Sequence, residues 1–103
     1  MPMDLDIILE PNLSPNQIME LGQLAERLGF RAIWAQNYSS ARDAFLSLVP
    51  LAQQSRKIRI GVVIVCPYEM HPVKIANAAL SLNEFADGRA MIVIGSGGEW
   101  PEI

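Results

Sequence analysis

Apolar positions along this chain fall into two alternating patterns: short β-branched runs, and longer stretches with helical spacing. Residues 5–9 (Leu-Asp-Ile-Ile-Leu) form the first run and predict a strand. Ser14-Pro15-Asn16-Gln17 follows as a helix start. Ser14 can accept from the free amides, Pro15 suits the first helical position, and Gln17 can close a capping box. Ile18, Leu21, Ala25 and Leu28 recur at helical spacing and predict one buried stripe, with Gly29 as a left-handed cap. Residues 30–35 predict the second strand, and a polar stretch, 36–40, comes next. A helix is expected over 42–54, with Phe45, Leu48, Val49 and Ala52 on one side. Pro50 lies inside it and predicts a kink or a restart, because an interior proline costs roughly 3 kcal/mol.

The strongest strand signal is 58–66, whose second half is apolar on both faces, as in a parallel sheet covered on both sides. Pro67 ends it, and Pro72 opens a third helix carrying Ile75, Ala78, Ala79, Leu82 and Phe85 on one stripe. Asp87-Gly88 makes a turn, and 90–94 (Ala-Met-Ile-Val-Ile) is a further apolar strand running into Gly95-Ser96-Gly97-Gly98. The order βαβαβαβ implies parallel strands joined by right-handed crossovers. Four strands and three helices fit a small open sheet or half of an eightfold barrel of ~250 residues, and periodicity does not choose between them.

Composition narrows the class. With 103 residues, half of them hydrophobic and 18% charged, the chain is one globular domain. A net charge of -3 with eight scattered basic residues gives no footprint for nucleic acid or an anionic membrane. One cysteine, Cys66, and one histidine, His71, rule out a disulfide framework and leave almost no room for a metal cluster, so no metal is expected. There is no basic, then apolar, leader, and no apolar run near the ~20 residues of a membrane helix. A cytoplasmic protein is expected.

The chemistry-bearing segments lie just after the strands, at the edge where α/β folds hold ligands. Gly95, Ser96, Gly97 and Gly98 expose backbone amides that can surround a phosphate oxygen, or simply make a tight turn. His71 directly precedes Pro72 at a helix start, where an imidazole serves as a cap or packing residue. Glu10, Asp43, Glu69 and Glu84 show no paired-carboxylate spacing and read as solvated charge. Gly95-Ser96-Gly97 is not the Gly-x-Ser-x-Gly of a nucleophile elbow.

Five segments stand in order: Gly29-Phe30-Arg31-Ala32-Ile33-Trp34, Lys57-Ile58-Arg59-Ile60-Gly61, Cys66-Pro67-Tyr68-Glu69-Met70-His71-Pro72, Leu82-Asn83-Glu84-Phe85-Ala86-Asp87-Gly88-Arg89 and Gly95-Ser96-Gly97-Gly98. Together this series resembles the luciferase-like monooxygenase superfamily, which includes the coenzyme F420-dependent oxidoreductases. The resemblance implies that residues 1–103 are the N-terminal portion of a (β/α)8 TIM-type barrel, strands one to four. It implies a flavin- or deazaflavin-dependent oxidoreductase, with FMN or coenzyme F420 as cofactor. The reaction would be hydride transfer or monooxygenation on a small organic substrate, in a homo-oligomer when full length. A bulge ending the third strand, often with a non-prolyl cis peptide, is expected at Val63-Ile64, so that Val63, Ile64 and Val65 back the ring. The glycine loop would lie near the cofactor phosphate. His71 belongs to a shared His-Pro pair whose role is structural.

Three departures bear on the chemistry. Asn37-Tyr38 stands where deazaflavin-dependent relatives carry Asp-His, so Asn37 becomes a candidate for the cofactor edge, and Asn37 and Tyr38 are the catalytic candidates. A tyrosine, with an ordinary pKa of about 10, is a poor base near neutrality. Ile8 occupies a position where some relatives have Glu, and Met70 replaces the usual Arg. Two rivals stay open: a barrel subunit that has lost catalysis, and an open α/β nucleotide-binding domain complete at this length. The barrel reading predicts exposed sheet edges, and residues 1–103 that are marginal, aggregate or dimerise when isolated.

Overall fold

The computed structural model describes residues 4–96. The elements run β1 (Asp6–Ile8), α1 (Pro15–Arg27), β2 (Ala32–Gln36), α2 (Ala44–Ser47), α3 (Val49–Gln54), β3 (Arg59–Val65), α4 (Pro72–Phe85) and β4 (Ala90–Ile94). All strand pairs are parallel, and their spatial order is β1-β2-β3-β4. Each crossover therefore moves the chain one strand along in the same direction. Right-handed crossovers then put every helix on one face of the sheet, as in a barrel wall. An open nucleotide-binding sheet instead reverses its strand order at a switch point, and this order has no reversal.

Burial follows that geometry. Leu9, Ile33, Ala35, Ile60 and Val62 point toward the helices and join Ile18, Leu48, Leu51, Ile75 and Leu82 in one core. The opposite face carries Asp6, Ile8, Trp34, Gln36, Arg59 and Val63, none of them fully buried. Coverage of both faces was expected for the third and fourth strands. Instead Ile64, Val93 and Ile94 are 42%, 40% and 57% exposed. The helix layer covers one side only, so Val93, paired with Val63, faces the space a closed barrel would enclose, whereas Ile94 lies on the helix side of the edge strand, where none of the described helices covers it.

The local signals act as the sequence predicts in most places. Ser14 and Gln17 form the reciprocal capping box of α1. Gly29 takes φ +87° beyond its end. Pro50 restarts the chain: Leu48 ends α2 and opens α3, so the proline falls in the first turn of α3, where no amide partner is lost. Asp43 caps α2 by accepting from the Leu46 amide at 2.8 Å.

Two predicted stripes are corrected. On α1, Ile18 and Ala25 are buried as the stripe predicts, but Leu21 and Leu28 are exposed and Gly22 is buried between them. The cause is Gly22, where a Cβ would lie 2.3 Å from Leu51 Cδ2. Its bare backbone lets α1 lie close against α3, so the helix contact centres on Ile18, Gly22 and Ala25 and leaves Leu21 and Leu28 outside it. On α4, Ile75 and Leu82 are buried but Phe85 is 47% exposed, at the rim of a groove between α4 and the α2–α3 pair.

Candidate functional site

The carboxyl edge of the strands brings the loops after β2, β3 and β4 together. The pairing of β3 with β4 shifts register between Val63 and Val65, leaving Ile64 as the extra residue of a bulge. The Val63-Ile64 peptide is cis. Around this bulge the backbone is tied on both sides. The Asn37 amide donates to Val63 O at 3.0 Å, and the Gly95 amide donates to Val65 O at 3.1 Å. Cys66, 5% exposed, donates from Sγ to Ser96 O at 3.4 Å. Val63, Ile64, Val65, Gly95 and Ser96 are thus one connected patch. Gly97 and Gly98, the rest of the predicted glycine loop, lie outside the described residues.

Asn37 is partly buried beside this patch. Its Oδ1 accepts from the Ala44 amide at 3.3 Å, which leaves the Nδ2 group as the end with hydrogens to offer. Tyr38 is 53% exposed in the next position. Both line a cleft of about 280 Å³ with Ser39, Asp43, Glu69 and Met70. Gln36 helps fix this edge by donating to Leu9 O at 2.7 Å, across β2 to β1. His71 is a cap: its Nδ1 accepts from the Val73 amide at 3.0 Å at the start of α4, the structural role expected of it. A cavity of about 780 Å³ lies in the outer groove between α4 and the α2–α3 pair; it shares Asp43, Glu69 and Met70 with the cleft at Tyr38 but is not lined by Val63, Ile64 or Val65. Among the described residues no group of His, Cys, Asp or Glu is arranged to hold a metal, and no helix is long and apolar enough to cross a membrane.

The opposite edge of the sheet holds two polar clusters that sequence reading passed over. Asp6 accepts from Trp34 Nε1 at 3.0 Å and forms a two-point ion pair with Arg31. The Trp34 hydrogen bond, with Arg31, holds the Asp6 carboxyl below its ordinary value despite partial burial. Glu26 Oε2 accepts from the amides of Arg56, Lys57 and Ile58 at 2.9, 2.6 and 3.0 Å. Burial would raise the Glu26 pKa. The three amides and the charge of Arg89 outweigh burial and hold it below 4.5.

A carboxylate with a depressed folded value contributes stability above its unfolded value and loses it as pH falls through the folded one. Melting temperature is therefore expected to fall on acidification below pH 4.5. Glu26→Gln should be less stable at neutral pH and show a shallower acid limb. Superimposable acid limbs for parent and variant would remove Glu26 from that account.

With this geometry in place, comparison with known proteins gives the class. The luciferase-like monooxygenase family matches residues 4–103, and the chain belongs to that family. A 5,10-methylenetetrahydromethanopterin reductase of Methanolobus tindarius is 32% identical over 81 residues, covering 79% of this chain and 25% of that protein. The oxygenase component of a flavin-dependent trigonelline monooxygenase from Acinetobacter baylyi is 34% identical over 88 residues, covering 80% of this chain and 24% of that protein. Among solved structures, the coenzyme F420-dependent tetrahydromethanopterin reductase of Methanopyrus kandleri aligns with a TM-score of 0.89 at 29% identity, over 96% of this chain and 28% of that one. The chain therefore spans about a quarter of the length of these relatives. Their shared barrel accounts for the sequential parallel strands and the one-sided helix layer.

Proposed function

We propose that the whole protein is a luciferase-like oxidoreductase that binds coenzyme F420 or FMN over the carboxyl edge of its strands and acts on a small organic molecule. The observation that carries this reading is the β3 bulge tied to the start of the glycine loop, with Ile64 42% exposed on the open face of the sheet. A planar ring suits this patch, because Ile64, Val93 and Tyr38 offer exposed apolar surface beside backbone freed of side chains at Gly95. Bound there, the ring would supply hydride transfer or, with oxygen, monooxygenation.

In this reading Val63, Ile64 and Val65 back the ring, Gly95, whose amide is held by Val65 O, opens the loop beside it, and Ser96, Gly97 and Gly98 give amides to its phosphate. Asn37 Nδ2 donates to the ring edge, and Tyr38 lies where a substrate proton would be handled. Alignment of two reacting groups is the main demand on such a site, and it needs no strong protein base. We favour the deazaflavin. Pro67-Tyr68 resembles that branch, and two of the relatives above are methanopterin reductases, one of them named as F420-dependent. The protein would be cytoplasmic and a homo-oligomer.

Absorbance titration of the whole protein with F420 and with FMN tests this. Saturable binding of either one is expected, and binding of neither overturns the proposal. A second reading has one observation in its favour: Asn37 is spent in part on the Ala44 amide, as a structural residue would be. A barrel subunit without turnover, held by a catalytic paralogue, would co-purify with that partner and bind no ring alone.

A further inference from the structure

We propose that Gly95 is a positioning residue: by lacking a side chain it gives Ile64 its space at the β3 bulge and so sets where the ring seat lies. This rests on the function proposed above. A Cβ on Gly95 would lie 3.1 Å from Ile64 Cγ2 and 3.9 Å from Cδ1. Gly29 and Gly88 have φ of +87° and need glycine for their backbone, whereas Gly95 is not among the left-handed residues. The requirement at Gly95 is therefore space, not conformation.

The backbone is restrained on both sides of the contact. The residues flanking Ile64 are held by the Asn37 amide on Val63 O and by Gly95's own amide on Val65 O. The residue after Gly95 is held by the Cys66 thiol. An added methyl would then be absorbed by the Ile64 side chain, which is 42% exposed and free to turn into the open face. That movement would lift the surface against which the ring is seated.

The test uses the whole protein with two probe pairs, F420 and its phosphate-free chromophore, and FMN and riboflavin. Gly95→Ala is expected to weaken both members of the pair that binds by about tenfold, or ~1.4 kcal/mol, and to shift the absorbance band of the bound ring. In an Ile64→Ala background, where Cγ2 is gone, the same substitution should cost about twofold or less. Equal losses in both backgrounds overturn the proposal, as does no loss in either. A loss confined to the phosphate-bearing probes also overturns it and assigns Gly95 to the phosphate. If Gly95→Ala does not fold, the double variant carries the test: it should fold and bind as Ile64→Ala does, and its failure to fold overturns the role. A parent protein that binds neither pair sinks the functional reading itself, whereas parental binding with additive losses sinks only the part given to Gly95.

Discussion

Arg89→Ala should cost about 3–5 kcal/mol of stability, a loss large enough to threaten folding. The side chain leaves the turn before β4 and enters the loop between α3 and β3. It makes five hydrogen bonds, one within its own turn to Ala86 O and four across to Ala52 O, Ser55 O, Ser55 Oγ and Ile58 O, at 2.6 to 3.1 Å. Four of these acceptors are backbone carbonyls; truncation would take the guanidinium from Ala52 O, Ser55 O and Ile58 O, while Ala86 O keeps the backbone amide of residue 89 at 3.3 Å. Each carbonyl left unsatisfied in a part-buried place costs about 1–3 kcal/mol, discounted where water can enter. The same loop offers its amides to Glu26, so an anion holds its donors and a cation its acceptors. Arg89→Lys should recover less than half of the loss, because a single ammonium with three donors cannot span the guanidinium fork. Denaturant midpoints with unchanged slope would measure both. A loss of under about 1 kcal/mol for Arg89→Ala would show that water replaces the guanidinium and that the cluster does not hold the loop.

Much of the fold is readable in the sequence where apolar runs and breakers agree. The β-branched run of β3, Pro72 at the head of α4 and the Ser14–Gln17 box each act through nearest neighbours, and each is where the sequence puts it. Gly22 shows where such reading stops. Counting hydrophobic residues selected Leu21, yet the close approach to Leu51 depends on a side chain that is missing. Val93 and Ile94 show a second limit, since an apolar run reports only that both faces meet apolar surroundings and not which segment supplies them.

The candidate site is legible in a different way. Nothing in the periodicity marks Val63 and Ile64 as a bulge; the ordered resemblance of five short segments does, and the register shift falls there. Asn37 was readable as polar and near the edge, but its bond to the Ala44 amide depends on where α2 begins, and that start came later than the sequence suggested. The clamp of Glu26 and Arg89 left no pattern, because its partners are backbone groups of one loop and backbone groups carry no residue identity.

Gly61→Ala should be the other severe substitution, costing about 3 kcal/mol or more although it adds only one methyl. Gly61 lies in the middle of β3, opposite Trp34 in the register of β2. A Cβ there would fall 2.3 Å from Trp34 Cε3, 2.4 Å from Cζ3 and 2.8 Å from Cδ2. These atoms belong to a rigid ring, so no rotation of a flexible tip relieves the clash. Nor is the ring free to slide, since its Nε1 donates to Asp6 Oδ2, to which Arg31 Nη2 also donates. To admit the methyl the indole must leave Asp6, or β2 and β3 must separate where Trp34 and Gly61 are paired. Alanine's better strand propensity returns a few tenths of a kcal/mol at most. The clash predicts its own remedy: Trp34→Leu should be destabilising alone, yet Gly61→Ala added to it should cost under about 1 kcal/mol. A double-mutant cycle in melting temperature or denaturant midpoint measures the coupling. Additive losses would mean that the β-sheet, and not the indole, excludes a side chain at Gly61.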